Sequence, residues 1–214
     1  MYTIDLRRKL KEKGYEIITG TPLDTLMLFL SKEVDAALIS SAAAFSLGLE
    51  PVFRAPIVMS KGIVENVVLL IRKREKKIKL WRTPHSFTGL AVALWYLEQD
   101  GNDIEIVDDR KNADVILLIG DEARRLSRSF KGKVVDLGKV WYQRFGMPLI
   151  YALTVSWRIM DLEIEPYRWR HIDVSILDDE VYRYLELQNK VLRHYWVRPF
   201  ILPKGLLGML LRSA

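Results

Sequence analysis

The run Val34-Asp35-Ala36-Ala37-Leu38-Ile39-Ser40-Ser41-Ala42-Ala43-Ala44-Phe45 constrains this chain more than any other stretch. A short apolar segment stops at two hydroxyls and gives way to alanine, so it reads as a buried strand whose carboxyl end hands Ser40 and Ser41 to the first turn of a helix. At such a junction the unpaired backbone N–H groups, the positive end of the helix dipole and the hydroxyls face one point, and that point favours an anion. The arrangement recurs. Gly20-Thr21-Pro22-Leu23 follows Glu16-Ile17-Ile18, with proline where a first helical turn tolerates it. Thr83-Pro84-His85-Ser86-Phe87-Thr88-Gly89 follows Ile78 to Trp81, and Ile119-Gly120-Asp121-Glu122 follows Asp114 to Leu118. Several strand-to-helix turns around one cleft suggest a binder of a small anion.

A chain of 214 residues, half of them apolar, is long enough to bury two small cores or one of medium size. Its formal charge of +6 is a mild excess spread along the chain, without the dense footprint that nucleic acid requires. The basic cluster from Arg72 to Lys79 reads as a solvated hairpin or loop between two apolar runs. There is no cysteine, which excludes disulfides, thiolate catalysis and cysteine-bound metals. His85, His171 and His194 have no partner at metal spacing, and neither a phosphate loop with lysine nor a nucleophile elbow is present, so neither a metal site nor a cofactor is expected. Three glutamines and four asparagines, with 28% charged residues, fit a thermophile. The amino terminus turns charged at once and no run reaches about 18 uncharged apolar residues, so the expectation is a cytoplasmic protein with no membrane insertion.

Periodicity predicts helices over Asp5 to Lys13, Pro22 to about Ser31 and Phe87 to Glu98, with shorter ones to Leu47 and around Val140 to Arg144. It also predicts helices over Asp121 to Phe130 and Asp178 to Tyr195. Strands are expected at Glu16 to Thr19, up to Ser40, and at Val64 to Ile71, Ile78 to Trp81 and Ile104 to Val107. Further strands are expected at Val115 to Ile119, Val134 to Leu137 and Leu149 to Val155, with Gly48 to Gly62 as a loop. Strands alternating with helices imply an α/β protein with parallel pairing.

The blocks "VDAALISSAAAF", "SFTGLAVALWYL", "ADVILLIGDEAR" and "VVDLGKVWYQRFGMPLIYAL" resemble, in that order, segments of the chorismate dehydratase family of the futalosine route to menaquinone. The similarity runs from about Glu16 to Trp157. It implies a two-lobed, type II periplasmic-binding-protein-like fold with a carboxylate-bearing ligand between the lobes. Residues 1–66 and 152–214 then form one lobe and 67–151 the other, with Glu65 to Leu70 and Leu149 to Thr154 crossing between them. The family also implies a central first strand ending in a tyrosine and asparagine motif, of which Met1-Tyr2-Thr3-Ile4 is at most the tail.

The implied reaction is loss of water from chorismate to give 3-[(1-carboxyvinyl)oxy]benzoate, which asks of the protein only orientation and charge stabilisation. The family's catalytic serine in "GxVxSV" corresponds here to Asn66, in Gly62-Ile63-Val64-Glu65-Asn66-Val67. Ser40, Ser41, Ser86, Thr88, Gly120 and Asp121 are the expected substrate contacts, all at carboxyl ends of strands. Plainer readings stand beside these: Ser40, Ser41 and Asp121 as helix caps, Trp141 as packing, and His85, next to the Ser86 turn, as either a ligand contact or an exposed loop residue. The rival function is a non-catalytic binding protein for a small carboxylate. The apolar tail from Phe200 to Leu211 reads as packing on the core or on a homodimer mate, or else as a surface for a protein or membrane partner.

Overall fold

The computed structural model of the chain describes residues 2–73 and 75–196. The helices are α1 (Tyr2–Glu12), α2 (Pro22–Leu30), α3 (Ser41–Ser46), α4 (Phe87–Glu98), α5 (Gly120–Ser129), α6 (Leu137–Phe145) and α7 (Asp179–Trp196). The strands are β1 (Ala36–Ser40), β2 (Pro56–Ser60), β3 (Val67–Ile71), β4 (Lys77–Arg82), β5 (Asp103–Ile106), β6 (Val115–Ile119), β7 (Lys133–Asp136), β8 (Leu149–Ser156), β9 (Tyr167–Trp169) and β10 (Ile172–Ile176). The strands build two five-stranded sheets, ordered β1-β8-β2-β10-β9 and β5-β4-β6-β3-β7.

Pairing differs between the sheets for a reason of connectivity. In the second, β4 lies parallel to β5 and β6, as a strand-helix-strand crossover through α4 demands, while β3 runs antiparallel to β6 and β7. The first sheet is antiparallel at every pair. The expectation that Ser40 ends a parallel strand is therefore corrected: its neighbour β8 arrives from far along the chain, free of any crossover rule.

Side chains sort by the two-residue period of a strand. Val67, Leu69 and Ile71 of β3 join the principal core, with residues of both sheets, α4, α6 and α7. Val68 and Leu70 point the other way, into a smaller cluster with Ile116, Leu118 and Ala123 of α5. A third cluster places Leu6 of α1 against Val174 and Ile164. At the centre lies α4, buried at every residue from Phe87 to Trp95, as a helix apolar on all sides must be.

Several expectations are corrected. Glu16 to Thr19 form no strand: no ladder takes them up, and β-propensity without a ladder gives no strand. Tyr2 to Ile4 begin α1 and are not the tail of a strand. The loop expected from Gly48 to Gly62 contains β2, buried throughout, with Pro56 at its first position, where a missing N–H is tolerated. The β9–β10 hairpin turns at Arg170 (φ 55°) and His171 without the glycine or asparagine that signals a turn. Neither Glu65 to Leu70 nor Leu149 to Thr154 crosses as a strand: β3 lies wholly in the second sheet and β8 wholly in the first, and the passages are residues 61–66 and 137–148. Of the basic cluster, Lys77 and Lys79 extend into β4 with exposed side chains, and Arg74 lies outside the described residues. The apolar tail from Phe200 to Leu211 also lies outside them. Among the described residues, no helix is long and apolar enough to cross a membrane.

Candidate functional site

Where β1 ends at Ser40, β8 continues past it and its edge backbone loses a strand partner. Three side chains from three helices take up that edge. Gln188 of α7, fully buried, accepts from Ile150 N (2.8 Å) and donates to Ile150 O (2.8 Å), imitating one more rung of the ladder. Its amide also donates to Ser41 Oγ at 3.2 Å. Ser41, with no exposed surface, donates to Ile150 O at 2.7 Å. Thr88 donates to Tyr151 O (3.0 Å) and accepts from Ala42 N (3.2 Å), and its Oγ1 lies 2.8 Å from Ser40 Oγ and 3.0 Å from Ser41 Oγ. A hydroxyl has one proton, so with Thr88 donating to Tyr151 O, Ser40 is its donor. Ser40, Ser41 and Thr88 thus come together across some forty-eight residues of sequence, in a polar seam that binds α3, α4 and α7 to β8.

One turn earlier in α4, Ser86 is different. It occupies the N-cap position, is 5% exposed, and makes no capping bond with its side chain. Gly89 leaves room for it: a Cβ there would lie 2.3 Å from Ser86 Oγ and 3.1 Å from Val67 Cγ1, so the start of β3 packs against the same turn. Beside Ser86, the buried Nδ1 of His85 has no hydrogen-bond partner. Asn66, just ahead of β3, accepts from Gly120 N at 2.7 Å through its backbone carbonyl, and its side-chain Oδ1 is buried without a partner. Gly120 takes φ +68°, a conformation that glycine adopts without strain, to start α5. Asp121 points into solvent, its side chain 93% exposed and 3.5 Å from Arg124, near Arg125 and Arg128. Ahead of α2, where no strand precedes the turn, the Thr21 hydroxyl is engaged in a capping box with Asp24, which keeps the Asp24 carboxyl below the usual carboxylate range.

The passages between the sheets are pinned by Asp136. Its carboxylate accepts from Val64 N (3.0 Å) and Glu65 N (2.7 Å) of the first passage and caps α6 through Lys139 N (2.9 Å). A Cβ on Gly138 would lie 2.5 Å from Gly62 O, 2.8 Å from Ser60 Oγ and 2.9 Å from Tyr151 Oη, so the two passages touch backbone to backbone. Burial pushes the Tyr151 hydroxyl far above its ordinary range and keeps it neutral. Trp141 is fully buried and packs on Trp95 and Phe145. Gln188 and Tyr151 have no local signature: one is a glutamine in a long amphipathic helix, the other an aromatic in a strand.

These features define an α/β protein of two sheets joined by two touching passages, an arrangement consistent with a periplasmic-binding-protein-like architecture, with unpartnered polar groups at His85, ahead of α4, and at Asn66, ahead of β3. The model of the menaquinone biosynthesis family matches residues 1–172, and the chain belongs to that family. Membership bears out the resemblance to the chorismate dehydratases of menaquinone biosynthesis and supports an enzymatic role of lyase type. No curated protein matches the chain. Among solved structures, it is similar to the ATP phosphoribosyl transferase complex of Thermotoga maritima (14% identity, TM-score 0.39, covering 89% of this chain and 93% of that one). It is also similar to a structural-genomics protein of Archaeoglobus fulgidus (14% identity, TM-score 0.43, covering 98% and 78%).

Proposed function

We propose that this protein is a two-lobed enzyme of the type II periplasmic-binding-protein-like kind, whose lobes follow the two sheets. It takes chorismate between them and removes water to give 3-[(1-carboxyvinyl)oxy]benzoate, as a hydro-lyase that uses no cofactor. The observation that carries this reading is Ser86: a buried hydroxyl without a capping bond, at the N-terminus of a twelve-residue helix, where N–H groups and dipole favour a carboxylate. Asn66 Oδ1, also buried and unpartnered, is an acceptor for the ring hydroxyl of the substrate. Ser40, half-buried at the end of β1, is the contact from the first sheet. Ser41 and Thr88 hold the walls in place, being hydrogen-bonded to β8.

Incubation with chorismate, followed by chromatography for the enolpyruvyl benzoate, tests the reaction; a rise in Tm with chorismate tests the binding. Ser86→Ala is expected to reduce the Tm shift, and Asn66→Ala to slow product formation. A second reading, a carboxylate binder without turnover, is favoured by the engagement of Ser41 and Thr88 in structure, which leaves few hydroxyls for chemistry. Binding without product would decide for it.

A further inference from the structure

The groups that the proposed reaction uses are covered: Ser86 is 5% exposed and Asn66 Oδ1 is buried, so a ligand meets them only after the molecule opens. Which contacts part is set by the two faces of the second sheet. On one face α4 packs against α3, α7 and β8 and is fixed by the Thr88 hydroxyl. On the other face lies α5, whose Ala123 and Leu126 pack with Val68 and Leu70. There the first sheet presents its β9–β10 hairpin. The ring of Trp169 carries the Arg124 guanidinium of α5 at 6.0 Å and the Arg170 guanidinium at 4.8 Å. At the tip, His171 Nε2 lies 3.7 Å from Oε1 of Glu65, the residue before Asn66 in the first passage. Glu65 (φ 62°) and Arg170 (φ 55°) are both in the left-handed region, which a residue with a Cβ adopts only when its surroundings hold it there.

Resting on the two-lobed reading above, we propose that the tip of the β9–β10 hairpin is a clasp: it fastens the first sheet to α5, and its release lets the two sheets part beside Asn66. The chemistry of the contact suits release. Trp169 packs on the principal core, so the hairpin has a fixed root, and what it offers α5 is a ring face, which a cation leaves without stranding a buried polar group. Arg124 has Asp121 on its own helix at 3.5 Å, so its charge stays paired when it leaves the ring. The side chains of His171 and Glu65 are 46% and 48% exposed, and water replaces either partner. The α4 face is the opposite case. Parting Thr88 from Tyr151 O and Ala42 N leaves buried backbone groups unpaired. The α4 face therefore holds as the hinge while the α5 face opens.

The chain has no cysteine, so spin labels attach only where cysteines are introduced. Lys11→Cys in α1, which packs on the first sheet, and Lys79→Cys on the exposed side of β4 report the separation of the sheets by double electron–electron resonance. One dominant distance is expected in that background. Arg124→Gln or Trp169→Leu should raise a longer-distance population by roughly fivefold or more, with the Tm of each variant as a check on folding. Combining the two should add little beyond either, because they remove the same contact. Thr88→Val, on the hinge side, is the comparison. If Thr88→Val lengthens the distance and neither Arg124→Gln nor Trp169→Leu does, the hairpin is no clasp while the two-lobed reading stands. If none of the three, nor Thr88→Val combined with Arg124→Gln, changes the distance, the sheets do not part and the two-lobed reading falls with the clasp.

Discussion

Ser40 Oγ donates to Thr88 Oγ1 at 2.8 Å, joining the last residue of β1 to the first turn of α4. Through Thr88, which in turn donates to Tyr151 O, the same contact reaches β8, so one hydroxyl ties α4 to two neighbouring strands of the first sheet. The seam separates two kinds of polar residue that look alike in sequence: those engaged in structure and those left open to a ligand.

Thr88→Val keeps the shape and removes the hydroxyl, leaving Tyr151 O and Ala42 N without their partner. An unsatisfied buried group costs about 1–3 kcal/mol, so urea unfolding should show a loss of that order or somewhat more. Ser86→Ala, one turn away, should leave stability within about 0.5 kcal/mol, because that hydroxyl caps nothing. Equal losses for the two variants would contradict the distinction.

Gln188→Leu removes both bonds to the Ile150 peptide as well as the one to Ser41. A fall in unfolding free energy of about 2–4 kcal/mol is expected, with faster amide exchange at Ile150 measured by NMR. Unchanged protection at Ile150 would show that the rung is filled by another group.

Gly138→Ala and Gly89→Ala test two close approaches of different character. At Gly138 the added methyl meets the Gly62 carbonyl, which is backbone and cannot turn aside, so a Tm loss matching about 1–3 kcal/mol is expected. At Gly89 it meets the Ser86 hydroxyl, which can rotate. Stability should then change less while the Tm shift with chorismate falls, because the hydroxyl is moved off the helix N-terminus.

Acid and alkali should act through different residues. Asp24 and Asp161 have folded pKa values lowered by hydrogen bonds, from Thr21 and Lys13 respectively, so their contribution is present above the ordinary carboxylate range and is lost as pH falls below about 4. Tm measured between pH 3 and 6 should fall less steeply in Asp24→Asn and Asp161→Asn. Tyr151 is raised by burial, so its contribution is complete below the unfolded tyrosine value and declines as pH rises above about 10, where the unfolded chain ionises and the folded one does not. Tyr151→Phe should soften that alkaline decline, and an identical slope in the variant would count against the buried, neutral hydroxyl.

Helices and buried strands were legible because their signals are local. The apolar face of α4, the strand β6 and the serine-bearing junctions at Ser40 and Ser86 follow from periodicity and from the needs of a helix N-terminus. Family membership too was readable from short blocks, and the matched range includes them. Partner choice was not legible. Glu16 to Thr19 has the composition of a strand but pairs with none, whereas Pro56 to Ser60 has a strand on each side and became a central strand. Likewise, the residue types at Ser41, Thr88 and Ser86 equally suit a cap, a rung or a ligand contact. Only the tertiary structure decided among these uses, because a hydroxyl's role is set by whichever unpaired group the fold brings within 3 Å or so of it, here the abandoned edge of β8 for Ser41 and Thr88 and no capping group for Ser86.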